Sequence, residues 1–246
     1  MSSEEEAVGE TTGPSWSLIG AALVVGVVVA MGVVLSIQGL RGEDDAEEPP
    51  TSAATSQSSA SPSTTTASVC GLPGRETAGT VNRAPTAEWA LVDGFAVPSV
   101  KSAGPGKVEG DGFRFCYAQT REGALTAAAN FVGVSGDPEL AKKVTDKLIA
   151  PGPGREVARR SAAGTSGTGS DGPRVQVAGF KMVSYSAESS TVEILLRGSN
   201  GEYVVQQLPL RWTEGDWRLE LADNGGPLAE PRSVPSAAGY VEWSGA

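Results

Sequence analysis

Two cysteines, Cys70 and Cys116, are the residues of this chain whose chemistry is easiest to specify. The chain has 246 residues and no histidine, which excludes Ser-His-Asp and Cys-His nucleophile systems and His-ligated metal sites within it. In an oxidising compartment such a pair indicates a disulfide. The alternative is two unpaired thiols, with Cys116 buried in a strand and Cys70 free. The disulfide is the favoured interpretation, and we predict no metal site.

Four carboxylates lie close together near the C-terminal end of the folded part. They are Glu214, Asp216, Glu220 and Asp223. Acid–base catalysis by a carboxylate pair needs a pocket that moves the two pKa values apart. Strand alternation places Glu220 on the face opposite Trp217 and Leu219, where it meets water. We therefore expect turn and surface chemistry from this group, and we predict no catalytic residue and no enzymatic activity.

Two glycine-rich segments and one arginine cluster have the composition of an anion site. The segment 164–170, GTSGTGS, has no lysine after its glycines and no strand-to-helix context, and PGPGR at 151–155 follows a predicted helix. Both are expected to be flexible loops, and we predict no cofactor. Arg155, Arg159 and Arg160 could contact acidic lipid or a partner, but a solvated helix face is the expected role.

Charge is distributed unevenly along the chain. The formal net charge is −10, and nine of the 29 acidic residues precede residue 50, where Arg41 is the one basic residue. The remainder is close to neutral, and it lacks the basic surface of a nucleic-acid-binding protein. It is long enough to form one domain with its own core.

A long apolar segment near the start predicts a membrane helix. Residues 18–37, LIGAALVVGVVVAMGVVLSI, are uncharged and would extend ~30 Å as a helix, the thickness of a bilayer's hydrocarbon core. A cleaved signal peptide would be shorter and would follow a basic start. We expect a permanent anchor over 17–40 in the lipid bilayer. Ala22, Gly26 and Ala30 share one face at a spacing that favours self-association.

The segments around this anchor predict an organisation into five parts. The expected parts are an acidic cytoplasmic tail (1–16), the transmembrane helix (17–40), a disordered Ser/Thr/Pro-rich stalk (41–68), an extracytoplasmic α+β domain (69–222) and an irregular C-terminal tail (223–246). The stalk sequence TSAATSQSSASPSTTTAS lacks large apolar side chains, so it cannot form a core. Arg41 alone would favour the opposite orientation. The cysteines and the stalk favour an external domain.

The order of periodic patterns in the domain predicts helices followed by an antiparallel meander. We expect irregular chain over 71–110 with one strand near Trp89, and a strand over 112–119. Thr120 should cap one helix, Asp137 with Pro138 should open a second, and REVARRSAA should form a third. Strands follow, with hairpin turns at Asn200-Gly201 and at TEGD. The expected fold is α+β, with helices packed on a curved antiparallel sheet.

The final predicted hairpin, LPLRWTEGDWRLEL, resembles that of the cone-shaped α+β fold named after nuclear transport factor two. In secreted bacterial members, a Trp ends one strand, a Gly-Asp turn follows, and a second Trp begins the last strand. An anchor, a stalk and such a domain resemble inner-membrane assembly components of type IV secretion and conjugation systems. The stretch from 89 to 131 also resembles actinobacterial membrane proteins of this layout. The resemblance covers about 85–222 and implies no catalytic residues.

These observations favour a membrane-anchored, non-enzymatic structural or interaction protein with protein partners in the cell envelope. The resemblance implies a place in a conjugation or secretion assembly. The alternative is an extracytoplasmic domain that binds a small molecule or a cell-envelope component in its cone. Tyr203, Phe180 and the two tryptophans of the last hairpin could line such a pocket, although filling the core is their expected role. A histidine-free isomerase or hydrolase is the third hypothesis.

Overall fold

A computed structural model of the chain describes residues 68–135, 137, 139–162 and 175–245. Four short strands come first: β1 Glu88–Val92, β2 Phe95–Ser99, β3 Lys107–Val108 and β4 Arg114–Phe115. Three helices follow: α1 Arg121–Ser135, α2 Ala141–Leu148 and α3 Pro153–Ala162. Six more strands complete the order: β5 Val175–Tyr185, β6 Ser189–Gly198, β7 Tyr203–Thr213, β8 Asp216–Leu219, β9 Arg232–Val234 and β10 Val241–Glu242.

The domain is α+β, with three helices packed on antiparallel sheets, as the order of patterns predicts. The main sheet has the strand order β10-β5-β6-β7-β8, and β9 pairs with the free part of β7. Within the described ranges, no helix is both long and apolar enough to cross a bilayer. The predicted membrane helix with Ala22, Gly26 and Ala30, the acidic tail, the stalk up to 67 and the loop 164–173 lie outside the described residues.

Helix α1 occupies the inner face of the main sheet. The Thr120 hydroxyl oxygen accepts the Gly123 N–H at 3.0 Å, so the predicted N-cap is confirmed. An alanine-rich sequence lets the backbone approach the sheet closely, and Gly123 to Asn130 are all buried. The opposing strands contribute Phe180, Val192, Ile194, Leu196, Leu208, Leu210, Trp217 and Leu219 to the same core. Phe180 and Trp217 therefore fill the core, whereas Tyr203 is only half-buried.

The second predicted helix begins later than expected. Asp137 Oδ1 accepts the Glu139 N–H at 2.8 Å, and α2 starts at Ala141 without a side-chain cap. Asp137 closes a turn before the helix instead of capping it, because its side chain bonds the N–H two residues ahead. Leu140, Val144 and Leu148 are buried at the predicted spacing, in a second core cluster with Phe113.

Both predicted hairpin turns of the main sheet are confirmed. Gly201 has a φ of 85° in the turn between β6 and β7. The turn between β7 and β8 places Glu214 and Gly215 at φ values of 53° and 75°. In this second turn, the two central residues with positive φ match the right-handed twist of the strands that they join.

The N-terminal part of the domain differs from the prediction. Residues 71–110 contain β1, β2 and β3 instead of one strand near Trp89, and β1 pairs with β2 through a tight turn at Asp93-Gly94. The predicted strand over 112–119 is reduced to β4, because Cys116 has a φ of 67° and breaks the alternation.

The segment predicted as an irregular C-terminal tail, 223–246, is instead part of the domain. It adds β9 to one side of the sheet and β10 to the other. Between these strands, the Tyr240 hydroxyl donates to Glu193 Oε2 on β6 at 3.0 Å. Trp243 is 5% exposed and packs edge-on against Phe180 and Trp89. The strands are short, so their sequence carries little periodic signal.

Candidate functional site

A disulfide between Cys70 and Cys116 ties the start of the domain to the segment before α1. The sulfur atoms are 1.98 Å apart and the two Cα atoms are 6.1 Å apart. The Cys70 N–H donates to Cys116 Sγ at 3.1 Å, and the Ser68 hydroxyl lies 2.9 Å from the same sulfur. The Val69 N–H donates to the Gly215 carbonyl at 2.8 Å, which joins this entry segment to the last hairpin.

Asp216 is the buried centre of this arrangement. Its side chain accepts the backbone N–H groups of Cys116 at 2.6 Å, Tyr117 at 2.8 Å and Trp217 at 2.9 Å. Asp216 is only 2% exposed, so the expectation of surface chemistry is wrong for it. The alternation argument concerned Glu220 and did not place Asp216. The partners of Asp216, Cys116 and Tyr117, lie about 100 residues earlier, and no local signal identifies them.

Burial has the largest effect on the pKa of Asp216. It raises the pKa of Asp216 to about 6, although the three N–H donors and the charge of Arg218 act in the opposite direction. Burial also raises the pKa of Tyr117 well above its usual range. The Tyr117 hydroxyl has no hydrogen-bond partner among the described residues. The Asp216 carboxylate, buried and accepting three backbone N–H groups, holds the segment around Cys116 against the last hairpin.

The other three carboxylates are separated from Asp216 by their own partners. Glu214 pairs with Arg218 and, at 3.6 Å, with Arg155. Glu220 pairs with Arg211 at 3.1 Å and borders a cavity of about 260 Å³, together with the exposed Asp223. The structure therefore does not bring the four groups into one catalytic pocket.

The arginine cluster and the PGPGR segment are also placed differently from the prediction. Arg155 is 14% exposed and points toward Glu214, so it is not on a solvated face. Arg159 is half-exposed and pairs with Asp146 and Glu156, while Arg160 is exposed. Only Pro151 and Gly152 of the PGPGR segment lie outside a helix, because Pro153 opens α3. A Cβ on Gly154 would collide with the carbonyl of Ala222, which explains the glycine there.

A polar cleft of about 490 Å³ lies where the N-terminal segment passes the start of α1. Its lining residues are Pro73, Gly74, Glu76, Thr80, Val81, Asn82, Arg83, Ser102, Thr120, Arg121 and Glu122. Arg121 donates through Nε at 2.9 Å and Nη2 at 3.1 Å to the Glu76 carboxylate, which lowers the pKa of Glu76. The sequence prediction missed this cleft, because it forms between segments that carry no periodic pattern.

The described residues contain no group of three or more His, Cys, Asp or Glu side chains that could hold a metal ion. The model of one protein family matches residues 50–242, and that family is described as a domain of unknown function, DUF8175. The chain belongs to this family. No curated protein and no solved structure matches the chain. The DUF8175 region runs from within the Ser/Thr-rich segment to the last residue of β10, so it includes the disulfide, Asp216 and both C-terminal strands.

Proposed function

We propose that this protein is a single-pass membrane protein whose DUF8175 domain lies outside the cytoplasm and acts as a non-enzymatic interaction module. The observation that carries the proposal is the Cys70–Cys116 disulfide at the entry of the domain. Structural disulfides persist in oxidising compartments and are rare in the cytosol. The uncharged segment 18–37 and the Ser/Thr-rich segment after it supply an anchor and a stalk for such a domain.

The interior of the domain supports interaction over catalysis. The core between helix α1 and the main sheet is filled by apolar side chains, among them Leu125, Phe180 and Trp217, which are fully buried. Asp216, whose pKa is raised, accepts three backbone hydrogen bonds and faces the segment 116–118. The remaining charged side chains near it, Arg155, Glu214 and Arg218, are paired with one another.

The proposed mechanism is geometric. The anchor would confine the domain to the membrane surface. The eighteen residues 51–68 of the proposed stalk, as a flexible chain, would span about 20–25 Å on average. Confinement raises the effective concentration of each domain for partners in the same envelope, so contacts of low intrinsic affinity become useful. We propose that this protein acts in this way as a component of a conjugation or secretion assembly.

We also propose that the domain has a cone-shaped fold of the nuclear-transport-factor-two type. This fold is supported by helices on the inner face of an antiparallel sheet. It is also supported by the last hairpin, in which Trp212 and Trp217 pair across the Glu214-Gly215 turn. The β1–β2 hairpin and the C-terminal strands are additions to that plan.

Fractionation of cells that produce the full chain tests the proposal. We expect the protein in the membrane pellet after washes with high salt and with carbonate. Protease added to spheroplasts should degrade the DUF8175 domain, while a cytoplasmic marker stays intact. The matched control lacks residues 18–37 and should be soluble and protected. Recovery of the full chain in the soluble fraction, or protection of its domain until lysis, would reject the proposal.

A second candidate function is the binding of a polar cell-envelope molecule in the cleft beside α1. The cleft is lined by the exposed Asn82 and Arg83 and by the Glu76–Arg121 pair, a set of polar groups that suits a ligand rich in hydroxyl or amide groups. This candidate replaces the cone as the binding site. Soluble peptidoglycan fragments provide the probe. An increase in Tm that is lost in the Arg83→Ala protein would support it, and no shift at millimolar concentrations of the fragments would reject it.

A further inference from the structure

One long edge of the β1–β2 hairpin is closed by side chains from the rest of the domain. Gln176 of β5 donates to the Gly94 carbonyl at 2.7 Å and accepts the Ala96 N–H at 2.8 Å. Asn130 of α1 donates to the Pro98 carbonyl at 2.8 Å. These contacts satisfy the outer backbone groups of β2 and hold the hairpin in one orientation, with β1 facing away from the domain.

The opposite edge, along β1, is open. The pair Val92–Phe95 flanks the two-residue turn, so residues 92, 90 and 88 direct their N–H and C=O groups toward β2. The backbone groups of Trp89 and Leu91 consequently point outward. No described residue forms a backbone hydrogen bond with them. Leu91 is 74% exposed, the largest exposed fraction among the large hydrophobic side chains of the described residues.

In the main sheet the outer sides of the long strands β5 and β7 are protected from pairing with another chain, whereas the outer side of β1 is not. The outer edge of β7 is covered by β8 and β9. The outer edge of β5 carries β10, the charged Lys181 and two register shifts. Pairing partners, lysines and bulges of this kind prevent a strand from pairing with another chain. Strand β1, EWALV, has no proline, glycine, lysine or bulge, and its one charge is at Glu88.

We propose that β1 pairs with β1 of a second copy of this chain, antiparallel and about a two-fold axis through Ala90. In this register Trp89 of each copy faces Leu91 of the other, so the outward N–H and C=O groups form four hydrogen bonds. Leu91 of each copy then lies beside the partner's Trp89, whose ring packs against Trp243 and lies close to Gly245 of its own domain. At the axis, alanine is small enough for two strands to approach at the normal ladder spacing of ~4.8 Å.

A second copy fits this edge better than an unrelated extended segment does. When two β1 strands pair, the outward N–H and C=O groups of each strand are hydrogen-bonded by those of the other. The two Glu88 side chains lie at opposite ends of the paired strands, each facing Val92 of the other copy. The interface is small, which is typical of transient contacts. A second copy of the chain would thus be one partner of the proposed interaction module. The inference depends on the proposed function in one respect: the membrane anchor would concentrate the two copies.

Cross-linking through position 90 tests the register directly. Residues 90 of the two copies would form a non-hydrogen-bonded pair, with Cα atoms ~4.5 Å apart, inside the range of roughly 4.4–6.8 Å that a disulfide accepts. The purified full-length Ala90→Cys protein in nanodiscs is oxidised with copper phenanthroline and run on a non-reducing gel. The matched control is Val183→Cys, on the exposed part of β5. We expect a covalent dimer from A90C, in a yield at least about fivefold above that of V183C.

A second pair of variants tests the hydrogen bonds. Leu91→Pro, placed in the A90C protein, removes an outward N–H that the hairpin does not use, whereas Leu91→Thr keeps it. We expect L91P to reduce the cross-linked dimer at least about fivefold and L91T to reduce it much less. Near-ultraviolet circular dichroism of the tryptophans verifies that both variants fold. Equal yields from A90C and V183C, no dimer from A90C, or full dimer formation by folded A90C/L91P would overturn the proposal. Failure of membrane anchoring would appear separately, in the fractionation experiment.

Discussion

The carboxylate of Asp216, in the last hairpin, accepts the backbone N–H of Cys116 at 2.6 Å, while the sulfur of Cys116 is bonded to Cys70. Cys116 has a φ of 67°, a conformation that is uncommon for residues other than glycine. The hydrogen bond and the disulfide hold it there together. The disulfide thereby links Cys70, at the start of the described residues, to Cys116, which is itself fixed to a strand 100 residues later.

Replacing Asp216 should destabilise the domain strongly. In Asp216→Ala, three buried N–H groups lose their acceptor, and each unsatisfied group costs about 1–3 kcal/mol. We expect the free energy of unfolding in urea to fall by roughly 3–5 kcal/mol. The matched control is Asp223→Asn, at an exposed carboxylate seven residues away, which should change it by less than about 0.5 kcal/mol. Equal stability of the D216A and D223N proteins would contradict the assignment.

The same carboxylate predicts a pH dependence of stability. The pKa of Asp216 is raised to about 6 in the folded protein, above the value of ~3.9 expected in the unfolded chain. Its contribution to the free energy of unfolding is therefore complete below about pH 4 and is lost as the pH rises through about 6. We expect wild type to lose stability over this window relative to Asp216→Asn. Groups such as Glu76, whose pKa is lowered, act in both proteins and cancel in the difference.

Parallel curves for wild type and D216N between about pH 4 and pH 7 would contradict this pH dependence. A steeper loss in D216N than in wild type would contradict its sign. The measurement is urea denaturation, followed by tryptophan fluorescence, at closely spaced pH values.

Loss of the disulfide should lower the free energy of unfolding, mainly because the unfolded chain gains conformational freedom. The bond between Cys70 and Cys116 closes a loop of 46 residues, and restricting such a loop is worth roughly 3–4 kcal/mol. The Cys70→Ser/Cys116→Ser protein should have a lower Tm than wild type. Reductant should lower the Tm of wild type toward that of the double variant and leave the double variant unchanged. A wild-type Tm equal to that of the double variant without reductant would contradict this stabilisation.

A methyl group at Gly179 should detach the C-terminal segment from the sheet. A Cβ at this position would lie 2.6 Å from the Val241 carbonyl oxygen of β10. We expect Gly179→Ala to lower the free energy of unfolding by about 1–3 kcal/mol and to increase the solvent exposure of Trp243. Gly110→Ala is the control, because a Cβ there has no neighbour within 4 Å. Acrylamide quenching of tryptophan fluorescence measures the exposure, and identical quenching in the two variants would refute the role of β10.

Local signals were sufficient for the elements that carry their own start and stop residues. Thr120 caps α1, Asn200-Gly201 turns β6 into β7, and Glu214-Gly215 turns β7 into β8, as predicted. In each case the side chain or glycine that determines the conformation is next to the element in the sequence. The α+β class follows from their order.

Long-range partners explain what the sequence could not predict. Cys116 breaks a predicted strand because Asp216 binds its N–H, and Arg155 points inward because Glu214 is there to pair with it. Strands β9 and β10 are three and two residues long, too short for a period of two to be visible, and they exist because β7 and β5 offer free edges. Contacts across 30 to 100 residues leave no local pattern.

The reactivity of the two cysteines in intact cells tests the central claim most directly. A maleimide that cannot cross membranes and adds a visible mass is applied to cells with and without an impermeant reductant. We expect no modification of either cysteine without reductant. After reduction we expect modification of Cys70, which is half-buried, while Cys116 is fully buried and reacts only once the protein is denatured. Modification without reductant would show that the disulfide is absent. Modification only after lysis would place the domain inside the cytoplasm, and either result would contradict the proposed function.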